Sequence, residues 1–164
     1  MGSSSHLAGA KLASIANIDV VHVPFRQGPD SRNGLLSGTI TYYVFPLPAI
    51  MGMIQSKQLR ALAVGGDKRA EALPDVPTTA EAGFPQYKTE SWFGLIGPRG
   101  MPKATVNRLN ADTVSVLKED ATRKKFAVQG AIPGYGPPEH FAKMQRDEYH
   151  DLAKLIKAIG MKVQ

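Results

Sequence analysis

Alternation constrains this chain more than any other feature. Runs rich in β-branched and aromatic residues, each cut short by proline or glycine, are separated by stretches with helical periodicity. "DVVHV" (Asp19 to Val23) is stopped by Pro24, which has no N–H to give to a ladder. "TITYYVF" (Thr39 to Phe45), "LRALAV" (Leu59 to Val64) and "ESWFGLI" (Glu90 to Ile96) have the same character and are read as strands. "LRALAV" is short and mostly apolar, as suits a strand covered on both faces of a parallel sheet. Strands alternating with helices place the chain in the α/β class.

The helices are equally legible. Ser3 to Ser5 are N-cap candidates for a helix carrying Leu7, Ala8, Leu12 and Ile15, with Asn17 as its end. A short helix is expected around Asn33 to Leu36, and another after Pro46 and Pro48. In "DKRAEALPDVPTTAEAG", Thr78 and Glu81 have the spacing of a capping box for a small helix stopped at Gly83. Lys103 to Leu117, Ala121 to Gln129 and Pro138 to Ile159 make the last part of the chain helical.

Composition narrows the chemistry. The 164 residues suffice for one ordinary domain or two small ones. Without cysteine there is no disulfide, thiolate nucleophile or Cys-based zinc site. No window offers the ~20 apolar residues of a spanning helix, and Met1 does not open a signal peptide, so the expectation is a soluble chain with no export signal of its own. The formal charge of +6 is concentrated in the second part, where "TRKKF" (Thr122 to Phe126) is the one dense run. No aromatic residues interleave with it, so it reads as a solvated helix face and no nucleic-acid partner is expected. Positive potential still favours anionic small molecules.

Catalytic and metal arrangements are weak. Ser5 and His6 are sequence neighbours and would not face one another on a helix, and no G-x-S-x-G elbow is present. A small hydrolase acting on carboxylic esters or related acid derivatives is the alternative reading, with His22 reaching a serine only through tertiary contact. Asp147, His150 and Asp151 share a helix face with divalent-ion spacing but lack a third or fourth ligand from elsewhere, so no metal site is assigned. The glycines of "VGGDKR" do not have phosphate-loop spacing, and Trp92 and Phe93 read as core or hinge packing. No catalytic residue and no cofactor are expected.

"HLAGAKL", Asp19 to Phe25, "LRALAV", "KRAEALPDVPTTAEAG" and "SWFGLIGPRGMP", in this order and spacing, carry a resemblance. The chain resembles the tripartite tricarboxylate transporter receptor family, the Bug or TctC type of periplasmic solute-binding proteins. Such receptors are about twice as long and close two α/β domains on a small carboxylate. Their glycine-rich loop resembling "YGSSGNGSSSHLA" aligns with Gly2 to Leu7, so the chain looks like a C-terminal half, although "MGSS" alone would also suit a vector remnant.

The resemblance implies a type II periplasmic-binding-protein-like fold with a mixed or parallel sheet. Residues 1–90 would form the second, solute-binding domain. Residues 91–164 would supply the crossover strand and the helices that normally complete the first domain. Apolar faces including Leu109, Val116, Phe126 and Phe141 would then lack their sheet, and repacking, a homo-oligomer or a domain swap is expected. The ligand-binding residues implied are Ser3, Ser4, Ser5, His6, Arg26, Phe45 and Pro46. The serines suit an anion at a helix N-terminus, and they equally suit plain N-capping. Where relatives often read "DLMFDN" this chain reads "TYYVFP", so Thr41 and Phe45 replace two acidic positions and simple carboxylates or aromatic acids are expected before amino acids. Relatives' "VPYKGG" appears here as "VPFRQG", which keeps a cation at Arg26. The implied partners are a small carboxylate and membrane transporter subunits, and the implied location is the periplasm.

Overall fold

Ser3 sets the first helix in place. In the computed structural model, which describes residues 2–25 and 27–160, its backbone is extended (φ −67°, ψ 158°) and its hydroxyl accepts from the N–H of His6 at 3.3 Å. This side-chain cap starts α1 (Ser4–Ala16). Asn17 ends it in the left-handed region (φ 51°), where the Ile18 N–H reaches back to the Ala13 carbonyl at 3.1 Å. Leu7, Ala8 and Ala13 are the buried stripe of this helix.

α2 (Gly28–Leu36) carries Pro29 in its first turn, where a missing N–H costs nothing. It begins five residues before the expected Asn33, because Pro29 and Asp30 suit a helix start. Ser31 is buried in it and donates to the Gly28 carbonyl at 2.8 Å. Gly34 presses on Phe25, and a Cβ there would lie 2.8 Å from the ring. A 3₁₀ turn (Leu47–Ala49) leads into α3 (Met51–Gln55), so the helix expected after Pro46 and Pro48 is short.

The C-terminal helices match the sequence reading closely. α4 (Lys103–Lys118) and α5 (Asp120–Val128) are parted by Glu119, whose single extended residue (φ −63°, ψ 135°) breaks the helical ladder. Gly130 closes α5 at φ 70°, with the Ala131 N–H bonded to the Phe126 carbonyl at 3.0 Å. α6 (Pro138–Ala158) starts at Pro138 and meets α4 and α1. Asn110 of α4 donates to the Gly136 carbonyl at 3.0 Å and holds the "PGYGPP" loop in place.

The expected strands require a correction. Among the described residues, none of the runs Asp19–Val23, Thr39–Phe45, Leu59–Val64 and Glu90–Ile96 forms a paired strand. The one β-type link is an isolated parallel bridge between Val64 and Thr78, made by Val64 N–H to Pro77 carbonyl and Thr79 N–H to Val64 carbonyl, both 2.9 Å. β-branched composition biases a run toward extended backbone, but a ladder needs a second edge alongside, and among the described residues only Val64 of these runs has one.

The capping box of Thr78 and Glu81 is present without its helix. Glu81 N–H donates to Thr78 Oγ1 at 3.1 Å and Thr78 N–H donates to Glu81 Oε2 at 2.8 Å, yet the chain makes only a turn before Gly83 (φ 96°). The reciprocal pair closes one turn, and Gly83 in the left-handed region then turns the chain away before a second can form.

Candidate functional site

The N-terminal end of α1 and the segment Thr41–Pro46 both line a large cavity of about 2330 Å³. Ser4, Ser5, Thr41, Phe45 and Pro46 line it. Ser4 and Ser5 lie in the first turn of α1, where backbone N–H groups lack helical partners and the helix dipole is positive. Tyr43 and Phe45, also in the lining, stack with ring centroids 3.9 Å apart. The lining therefore includes hydroxyls, a positive helix end and an aromatic pair. That combination suits a carboxylate on an apolar or aromatic body.

The other implied residues fall elsewhere. Ser3 serves as the N-cap. His6 is stacked on His22 with centroids 3.7 Å apart, and its Nδ1 accepts from the Gly2 N–H at 3.1 Å. Partial burial and the neighbouring His22 hold His6 below the ordinary histidine range, so its neutral form is favoured. His22 thus meets a histidine and not a serine. Arg26 lies outside the described residues.

Two further anchors position this wall. Tyr87 is buried and donates its hydroxyl proton to the Ala8 carbonyl at 3.1 Å. Lys11, one turn on, donates to the Lys88 carbonyl at 2.6 Å. Together they clamp α1 against the residues that follow the capping box. Burial, with Tyr42 nearby, pushes the Tyr87 phenol up to about 12.

Sequence reasoning missed the cations on the cavity wall. Arg60, Lys68 and Arg69 all line it. Arg69 is occupied, donating from Nε to Glu81 at 2.8 Å and to the Pro74 carbonyl at 3.0 Å. The signal for Lys68 and Arg69 was present in "DKR", the charged run that follows "LRALAVGG", and Arg60 is the one charged residue inside that apolar run.

The acidic face of α6 has other duties. Asp147 accepts from Lys143, and Asp151 accepts from Lys154 at 3.2 Å. Glu148 accepts from the Trp92 indole at 2.5 Å, and Trp92 meets Phe141 edge-on at 5.0 Å. Trp92 therefore fastens its segment to α6, as a packing role requires.

Residues 1–161 match the family described as "Tripartite tricarboxylate transporter family receptor". A protein of the tcbD-tcbE intergenic region of Pseudomonas sp. strain P51 is 33% identical over 157 residues, covering 95% of this chain and 47% of the relative. A protein of the clcB-clcD intergenic region of Pseudomonas knackmussii is 31% identical over 157 residues, covering 95% of this chain and 93% of the relative. The chain thus spans about half the length of the first of these and nearly all of the second.

Solved structures agree on the fold. Rpa4515 of R. palustris with adipate superposes with a TM-score of 0.90 at 31% identity, covering 97% of this chain and 53% of that one. The periplasmic binding protein BugD superposes at 0.85 with 25% identity, covering 99% and 55%. MatC from Rhodopseudomonas palustris with bound malate gives 0.80 at 25% identity, covering 94% and 54%. The fold is periplasmic-binding-protein-like.

Proposed function

Because the chain belongs to the tripartite tricarboxylate transporter receptor family, we propose that it forms the carboxyl-terminal side of a site for a small carboxylate destined for a membrane transporter. The observation that carries this reading is that Ser4 and Ser5, at the positive end of α1, line the same cavity as Phe45 and Pro46. The N–H groups and hydroxyls receive the carboxylate, and Phe45 with Tyr43 covers its body. Ser3 and His6 shape the helix entry, and Arg26 is assigned as a further cation for the carboxylate. Adipate in Rpa4515 and malate in MatC make dicarboxylates the first class to consider.

The same reading assigns residues 1–90 to the solute-binding domain and residues 91–164 to the part that completes its companion. It also places the working receptor in the periplasm. Among the described residues, no helix is long and apolar enough to cross a membrane.

Titration calorimetry with adipate, malate, benzoate and glutamate tests the proposal. Saturable binding of a carboxylate, weakened about tenfold or more by Ser4→Ala together with Ser5→Ala, is the expected result. Binding untouched by those changes, or preferred binding of the amino acid, would overturn the assigned wall.

A further inference from the structure

A mesh of contacts ties the loop after "LRALAV" to the start of α1. The Thr89 N–H donates to the Gly65 carbonyl at 3.4 Å, and Lys88 Nζ meets the Asp67 carboxylate at 2.6 Å. A Cβ on Gly65 would collide with the Thr89 carbonyl oxygen, so the two backbones come this close because residue 65 is glycine. The same segment grips α1, since Tyr87 donates to the Ala8 carbonyl at 3.1 Å and Lys11 to the Lys88 carbonyl at 2.6 Å. Ala8 stands one helical turn, about 5 Å, beyond Ser4 and Ser5. The loop that carries Lys68 is therefore held, through residues 87–89, to the first two turns of α1, and Ser4, Ser5, Ala8 and Lys68 all line the cavity.

Lys68 is exposed, and among the described residues it is in no ion pair. The neighbouring cations are occupied or remote. Lys11 and Lys88 are used within the mesh itself, and Arg69 is held by Glu81 and the Pro74 carbonyl. Arg60 sits at the far end of the apolar run, five positions before Gly65. Arg123 and Lys124 line the cavity from α5, which packs on α4 and, among the described residues, makes no contact with α1. Arg26 is already assigned to the first carboxylate.

A monocarboxylate held at the end of α1 has no further charge to offer Lys68, whereas a dicarboxylate presents a second acceptor for a charge-assisted hydrogen bond. A lysine ammonium is a compact charge on a flexible stem, so it can meet a second carboxylate without the fixed geometry that a guanidinium demands. We propose that Lys68 is the residue that selects dicarboxylates, taking the second carboxylate of a ligand whose first is held at Ser4 and Ser5. This rests on the carboxylate reading above and fixes the number of charges on the ligand.

Titration calorimetry with adipate and hexanoate, acids of equal carbon count that differ by one carboxylate, tests it. The wild type should bind adipate about tenfold or more tighter than hexanoate, the order expected of one hydrogen bond between charged groups. Lys68→Met, on an exposed side chain, should leave the melting temperature unchanged and close that gap by weakening adipate alone. Ser4→Ala together with Ser5→Ala should instead weaken both acids by the same factor, which separates the second site from the first. Four results would overturn the proposal: hexanoate bound as tightly as adipate by the wild type, a gap that survives Lys68→Met, equal weakening of both acids by Lys68→Met, or a gap closed by Arg26→Met or Arg60→Met. Binding of neither acid would remove the carboxylate site itself, and the role of Lys68 with it.

Discussion

The Tyr87 hydroxyl donates to the carbonyl oxygen of Ala8 at 3.1 Å, across seventy-nine positions of sequence. The contact fixes the roll of α1 against the segment after the capping box, and so fixes where Ser4 and Ser5 open on the cavity. Ala8 and Tyr87 are both buried, at 7% and 3% exposure, so solvent does not readily replace the bond.

Tyr87→Phe keeps the ring and removes the donor. The expected loss is about 1 kcal/mol, the net worth of a typical hydrogen bond, or roughly 2–4 °C in a chain of this size. Alkali adds a second signature. An ordinary phenol titrates near ~10, while burial raises Tyr87 to about 12. The stability linked to it is full below the ordinary value and is lost as pH rises through the raised one. Melting curves from neutral to alkaline pH should fall more steeply for the wild type than for Tyr87→Phe; parallel curves would refute the assignment.

Thr78 and Glu81 should behave as a reciprocal cap with an acid limit. The Arg69 hydrogen bond, and next the Thr78 N–H, hold Glu81 below its ordinary range. Its contribution is therefore present above the ordinary glutamate value and disappears as pH falls through the lowered one. Glu81→Gln should keep the cap and flatten this part of the acid profile, whereas Thr78→Ala should cost about 1 kcal/mol at neutral pH. Carboxyl NMR titration of the wild type and Arg69→Met checks the cause: loss of the arginine should raise the Glu81 midpoint.

His6 makes a milder acid-sensitive point beside the proposed carboxylate wall. Burial and the stacked His22 disfavour its charged form. The associated stability is complete above the ordinary histidine value of about 6.5 and declines as pH drops through the lowered folded value. Imidazole NMR should place the His6 midpoint below that value, and His22→Gln should raise it. An unmoved midpoint would show that the stack has no electrostatic consequence.

Local physics made much of the chain legible. Ser3 caps α1, Asn17 ends it, and Pro138 opens α6, because each depends on groups within one turn of itself. The Thr78 and Glu81 exchange was equally readable, since both partners lie three residues apart. Its continuation was not, because the left-handed Gly83 stops the chain after a single turn.

By itself, the sequence determined α1, the three C-terminal helices, the caps and the family, through short-range spacing and a series of motifs along the chain. Only tertiary structure decided that Ser4 and Ser5 line one cavity with Phe45 and Pro46, that His6 stacks on His22, and that Arg60 and Lys68 line the same cavity. It also decided that, among the described residues, "LRALAV" pairs only through Val64 and "ESWFGLI" makes no backbone–backbone hydrogen bond. Strand propensity resides in a residue and its neighbours, whereas a ladder exists only where a second edge is brought alongside.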